Sequence, residues 1–241
     1  MKRFFINLPL VAHEAIDLPK EVRLYMERVL RLKPGHSITL FNGQGGQFNA
    51  EFQGNGRVQL LDFASIERES PLSIHLIQGI SKGERMDVTL QKATELGASR
   101  ISPVTTERSV VRLDEERAER RHERWNSILR SACEQCGRNH IPQLDDLQKL
   151  ERVLSETRHA DGCPDEGRIV LAPTGTHTLH EMAQPARLSV LIGPEGGLSD
   201  AEIELAIGNG FTPIRLGTRI LRTETAGLAI LAAVQTLWGD F

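Results

Sequence analysis

Aromatic residues are scarce in this 241-residue chain: eight Phe, two Trp and one Tyr make up 5% of it. Extended base stacking along a nucleic-acid strand, which needs a row of exposed rings, is therefore not expected. Cysteine is scarcer still. Cys133, Cys136 and Cys163 are an odd number in a chain too long to depend on staples, which points to a reducing compartment. Cys133 and Cys136 with nearby His140 lack the second pair of ligands that a structural zinc site needs, so no metal is expected. No run approaches the roughly 18 apolar residues of a membrane span. The opening MKRFFINLPLVAHEAIDLPK has neither an apolar h-region nor a small-residue cleavage site. The chain reads as soluble and cytoplasmic.

The chain is 39% hydrophobic and 25% charged, ordinary for a globular protein, and long enough for one large domain or two modest ones. Its net charge of -3 hides an asymmetry. Residues 1–70 carry nine Lys/Arg against eight Asp/Glu, residues 71–140 twelve against ten, and the remainder eight against fourteen. A bound polyanion is therefore expected at the first 140 residues.

Residues 1–70 read as short β segments around one helix. RFFI is followed by a helical pattern over EVRLYMERVLRL, then by SITLFN, GQFNAEF and RVQLLDF, separated by glycine-containing turns. This predicts a small β-rich module, read as a barrel, with a boundary near residue 70 at the polar, proline-containing IERESPL. Beyond it, apolar strands alternate with helices: SIHLIQGI, the helical MDVTLQKATELGA capped by Gly97, then ISPV, RIVLAP, RLSVLIG and PIRLG. Such alternation predicts a mostly parallel α/β sheet. RLDEERAERRHERW reads as a solvated mixed-charge helix, and His75 as a packed strand residue rather than a catalyst. Nearly every strand candidate runs into a polar or glycine-containing loop, and ligands of open α/β sheets bind beyond the carboxyl ends of the strands.

Two of these loops stand out. In residues 187–211 an apolar strand ends at Gly193-Pro194-Glu195-Gly196-Gly197, and Ser199 with Glu202 has the spacing of a capping box that starts a helix. The glycines suit either close approach of a ligand to the backbone or a tight turn that needs positive φ, and spacing does not decide between them. The loop is not G-x-G-x-x-G and has no P-loop Lys-Ser/Thr. A nicotinamide-dependent oxidoreductase needs a G-x-G-x-x-G turn near the first strand and an acidic ribose ligand about 20 residues later, and neither is in the expected place. In residues 213–241 a strand passes through Leu216-Gly217 into a junction crowded by Arg219, Arg222, Thr223, Glu224 and Thr225, before an apolar helix that Thr223 or Thr225 can cap.

These stretches, with Arg3-Phe4-Phe5, Val29 to Leu32, Leu40 to Gly43, Ser81-Lys82-Gly83, Gln91 to Gly97, Glu107-Arg108-Ser109 and Glu134 to Arg138, resemble the RsmE family of SPOUT methyltransferases. The likeness is nearly full-length, and the blocks Ile192 to Gly197 and Leu216 to Ala226 are the specific ones. Members of that family methylate N3 of a uridine in 16S ribosomal RNA of the small subunit. The resemblance implies a C-terminal SPOUT domain with a trefoil knot over residues 71–241. It also implies a PUA-like RNA-binding barrel over 1–70, a homodimer, and S-adenosyl-L-methionine as cofactor. Cofactor contacts are then expected at Leu171, Ala172, Pro173 and Thr174, at Ile192, Gly193, Pro194, Glu195, Gly196 and Gly197, and at Leu216, Gly217, Ile220, Leu221 and Thr223. Leu24 and Tyr25 stand where family members often carry histidines, and no role is assigned there.

Methylation at N3 needs a home for negative charge on the uracil oxygens and an acceptor for a proton. Arg222 suits the first task, and Glu195 and Glu224 are candidates for the second, since arginine stays protonated. Arg3, Arg31, Lys82, Arg85, Lys92, Arg108 and Arg138 are the candidate RNA contacts. The rival reading is a non-catalytic RNA-binding ribosome-assembly factor on the same fold.

Overall fold

The computed structural model describes residues 2–110, 114–159 and 165–241, which form two compact units. One is Met1–Glu69 with Cys133–Ile141, the other Ser70–Ala132 with Pro142–Phe241. Cys163, most of the acidic stretch around it, and Arg112 and Leu113 of the mixed-charge helix pattern lie outside the described residues.

The first unit is built on β1 (Lys2–Phe5), β2 (Ala15–Asp17), α1 (Lys20–Leu24), β3 (His36–Phe41), β4 (Gln47–Gly54) and β5 (Arg57–Ala64). The strands pair in the order β1-β3-β4-β5-β2, with β1 parallel to β3 and the other pairs antiparallel. Alternation along β4 turns Phe48, Ala50 and Phe52 inward, onto Phe4, Ile38, Leu40, Val58, Leu60 and Met26. Among the described strands β1 and β2 sit at opposite ends of an open sheet, where a barrel was expected. The helix predicted over residues 21–32 is shorter. After Leu24 the chain widens into a π-turn at Tyr25–Val29, closed by Leu30 N–H on the Tyr25 carbonyl, and Arg31 then adopts φ 52°. No side chain caps either piece, and Met26 is the single fully buried anchor.

Residues 133–141 join this unit through specific bonds. Arg138 Nε donates to Glu69 Oε2 at 2.9 Å, Phe5 N–H donates to Glu134 Oε1 at 2.9 Å, and Arg68 Nη1 donates to the Gly137 carbonyl at 3.1 Å. Cys133 is buried beside them, and burial pushes its thiol up to about 12, which makes it a packing residue rather than a nucleophile.

The second unit runs β6 (Ser73–Gly79), α2 (Glu84–Glu95), β7 (Ala98–Thr105), α3 (Glu115–Cys136), β8 (Gln143–Leu144), β9 (Gln148–Lys149), α4 (Leu150–His159), β10 (Glu166–Leu171), β11 (Arg187–Ile192), α5 (Asp200–Gly208), β12 (Thr212–Ile214) and α6 (Thr223–Trp238); the last turn of α3 lies in the first unit. The sheet order is β12-β10-β11-β6-β7-β8, with β9 also on β7, and every pairing is parallel. β6 and β11 bury almost every residue, as strands covered on both faces do. One face packs Ile77, Val104, Val170 and Leu191 against Leu150, Val153 and Leu154 of α4 and Ala206 of α5. The predicted capping box forms: Ser199 N–H donates to Glu202 Oε2 at 2.8 Å, and Glu202 N–H to Ser199 Oγ at 3.3 Å. Gly97, at φ 86°, follows the last turn of α2 as expected.

His75, in the middle of β6, is one end of a polar chain inside this sheet. Its Nε2 lies 2.6 Å from Ser102 Oγ; Ser102 donates to Asp145 Oδ2, and Arg100 Nε reaches the same oxygen at 2.8 Å. Burial, aided by Arg100 and opposed by Asp145, lowers the imidazole from its ordinary 6.5 to about 4. The unfolded chain therefore takes up this proton first. The stability that rests on neutral His75 is complete above pH 6.5 and is lost as pH falls toward 4, by about 3 kcal/mol in all. Denaturant unfolding of wild type and His75→Gln between pH 7.5 and 4.5 should show the steeper loss in the wild type, and equal slopes would dismiss the effect.

Candidate active site

β12, β10 and β11 are neighbours in the sheet and run parallel, so the loops after them leave from one edge. These loops enclose a cavity of about 820 Å³, within the range of small-molecule sites. Its apolar wall comes from Leu171, Ala172, Ile192, Leu198, Ile203, Ile214 and Leu216. Its charged groups are Arg85, Arg108, Arg215, Arg219 and Arg222 with Glu195 and Glu224.

Every residue expected to touch a cofactor lines this cavity except Thr174, which stays exposed outside it on the turn that Gly175 N–H closes on the Ala172 carbonyl at 3.0 Å. Arg222, Glu195 and Glu224 all line it as well. Ile220 is 86% exposed at its rim. A Cβ on Gly193 would lie 2.8 Å from Leu198 N, so Gly193 is needed because the protein's own backbone folds back on it. Gly217 instead supplies a turn, at φ 70° with nothing near its missing side chain.

One hydroxyl ties the cavity's loops together. Thr223 Oγ1 donates to the Gly193 carbonyl at 2.6 Å and accepts from Gln78 Nε2 at 3.0 Å. Thr223 is thus the first residue of α6 and a strap, not the helix cap anticipated; the cap position is Arg222, without a side-chain bond to the helix. This leaves the Arg222 guanidinium exposed and without a protein partner among the described residues.

The two glutamates differ. Glu195 Oε1 accepts from Lys82 N–H at 2.9 Å and from Arg85 Nη1 at 3.0 Å. Burial pushes its carboxyl up, but those two bonds and its own backbone N–H outweigh burial and hold it below the ordinary glutamate range. Glu224 Oε1 is 3.9 Å from Arg85 Nε, while its Oε2 is buried with no hydrogen-bond partner among the described residues.

The candidate RNA contacts fall in both units, Arg3, Arg31 and Arg138 in the first and Lys82, Arg85, Lys92 and Arg108 in the second. Arg3 and Arg138 are both engaged by protein partners. Arg3 donates to Gln47, to the Arg138 carbonyl at 3.1 Å and to Asn139 Oδ1 at 2.9 Å while lying over the Phe41 ring; Arg138 is 4% exposed against Glu69. Arg108 clasps the carbonyls of Gly196 and Leu198, Arg85 holds Glu195, and Lys92 pairs with Glu95. Arg31 and Lys82 are exposed. Arg215 and Arg219 line the cavity although the sequence reading assigned neither a role, and their signal was the arginine cluster around Gly217.

Such a cavity at the strand ends of a parallel sheet defines a small-molecule site of the α/β class, and a family model described as an RNA methyltransferase domain matches residues 68–235. The chain is 35% identical to ribosomal RNA small subunit methyltransferase E of Buchnera aphidicola subsp. Schizaphis graminum, over 99% of this chain and 97% of that protein. It is 30% identical to the protein of that name from Bacillus subtilis, over 97% and 96%. The crystal structure of the Neisseria gonorrhoeae protein of that name, bound to S-adenosyl methionine, matches with a TM-score of 0.91 at 39% identity, over 100% and 99% of the two chains. The chain belongs to the ribosomal RNA small subunit methyltransferase E family.

The strap gives a test that needs no substrate. Thr223→Val keeps the shape but leaves the Gly193 carbonyl and Gln78 Nε2 each without one partner, which should cost about 1–3 kcal/mol in denaturant unfolding. Wild-type stability in this variant would show that the strap contributes nothing.

Proposed function

We propose that this chain transfers the methyl group of S-adenosylmethionine to N3 of a uridine in 16S ribosomal RNA. The observation that carries the reading is the cavity formed by the 171–174, 192–197 and 214–224 segments, in a chain whose relative binds S-adenosyl methionine. The residues fit that cofactor. The apolar wall suits an adenosine, and Glu224 Oε2 is a buried acceptor with no donor among the described residues. Bound there, the cofactor supplies an electrophilic methyl group and leaves as a neutral thioether.

N3 of uracil carries a proton, and its loss spreads negative charge to O2 and O4. Arg222 has a planar guanidinium with no competing protein partner, and it stabilises those oxygens. Glu224 accepts the proton through its unpartnered oxygen. Glu195 is the poorer base, because its bonds to Lys82 and Arg85 favour the carboxylate that merely positions them. The C-terminal part, residues 71–241, is read as a knotted SPOUT domain and residues 1–70 as a PUA-like RNA-binding module. The working form is read as a cytoplasmic homodimer.

Mass-spectrometric mapping of 16S ribosomal RNA from cells with and without the protein tests the activity: 3-methyluridine should vanish on deletion and return with the wild type. In single-turnover assays Arg222→Ala should slow transfer by roughly 100-fold or more and Glu224→Gln by at least about tenfold, with Glu195→Gln milder. Transfer by Arg222→Ala at the wild-type rate would sink its role.

A further inference from the structure

The acidic C-terminal part of the chain holds a basic loop. After residue 140 there are eight Lys/Arg against fourteen Asp/Glu, yet Arg215, Arg219 and Arg222 fall within eight residues. All three line the cavity, all three are exposed, and none of their guanidinium groups has a protein partner among the described residues. Arg85 and Arg108, the other arginines of the lining, are already bonded to Glu195 and to loop carbonyls. The lining thus carries five arginines against two glutamates.

S-adenosylmethionine does not correct this excess. With a sulfonium and an ammonium against one carboxylate it is itself a net cation, so its arrival adds like charge to a cationic cavity. The balancing anion must come with the other substrate. A nucleotide whose base enters the cavity brings its own 5′ and 3′ phosphates to the rim, where exposed, unpaired arginines meet them with little reorganisation.

We propose that Arg215 and Arg219 hold the phosphates flanking the target nucleotide, and that RNA and cofactor therefore strengthen each other's binding. This rests on the cavity being the methyl-transfer site. It moves part of the polyanion contact from the first 140 residues, where net charge placed it, to the loop between β12 and α6. The coupling is reciprocal, as any binding linkage must be.

The test is binding of 16S ribosomal RNA across a salt series by wild type and by the double variants Arg215→Gln/Arg219→Gln and Arg215→Lys/Arg219→Lys. Calorimetry of S-adenosylmethionine with and without the RNA is run in parallel. The slope of log affinity against log salt should shrink by roughly 0.7 for each arginine lost in the glutamine pair, and the lysine pair should recover most of it. RNA should tighten cofactor binding in the wild type and do so less in the glutamine pair. Both side chains are exposed, so the thermal midpoint should not move. Equal slopes in wild type and glutamine pair, or a lysine pair no better than the glutamine pair, overturns the proposal. Absence of 3-methyluridine formation by the wild type, with the slopes still different, overturns the assigned reaction and leaves the phosphate grip standing.

Discussion

The parallel arrangement of β12, β10 and β11 is the constraint from which the site follows. Three neighbouring strands that run the same way must release their loops at one edge, so segments 40 residues apart in sequence meet without any special affinity for one another. What remains is to hold them still. The Thr223 hydroxyl does this with two hydrogen bonds, one to the loop after β11 and one to the end of β6. Because Thr223 also begins α6, the helix start, the glycine loop and the central strand share one fixed point.

Charge is divided by the same geometry. Arg85 and Arg108 spend their donors on the cavity wall, where Glu195 and two loop carbonyls await them. Arg222 occupies the cap position of α6, outside the helix, and its guanidinium has no ion pair among the described residues. Arg215 and Arg219 flank the turn at Gly217 and are exposed. Bonded and unbonded arginines of the lining thus differ in backbone position, and residue type alone says nothing of which is which.

That sorting marks the boundary of what was legible in the sequence. The parallel sheet, the strand-end loops and the Ser199–Glu202 box were readable because each depends on local pattern: apolar runs, glycine turns and a three-residue spacing. Features that depend on distant partners were not. Arg3 and Arg138 look like surface cations in the sequence, and only their contacts with Asn139 and Glu69 show that one is half-buried and the other buried against protein partners. Residues 133–141 begin in the last turn of a helix that otherwise belongs to the second unit, yet Arg68 and Phe5 bond them into the first. The open sheet in place of a barrel and the early end of the helix over 21–32 have a related reason, since sheet closure and the π-turn at Tyr25 leave no periodic mark.

The contrast between Glu195 and Glu224 shows how far geometry goes beyond both. The two residues have the same chemistry, line the same cavity and lie close to the same arginine. A carboxylate oxygen that already accepts a backbone N–H and a guanidinium would have to give up both bonds to bind a proton well. One that is buried with no donor carries a desolvation cost that a ligand's N–H relieves. The buried oxygen of Glu224, without a donor among the described residues, is therefore open to one, and this, rather than the identity of the residue, distinguishes it from the braced Glu195.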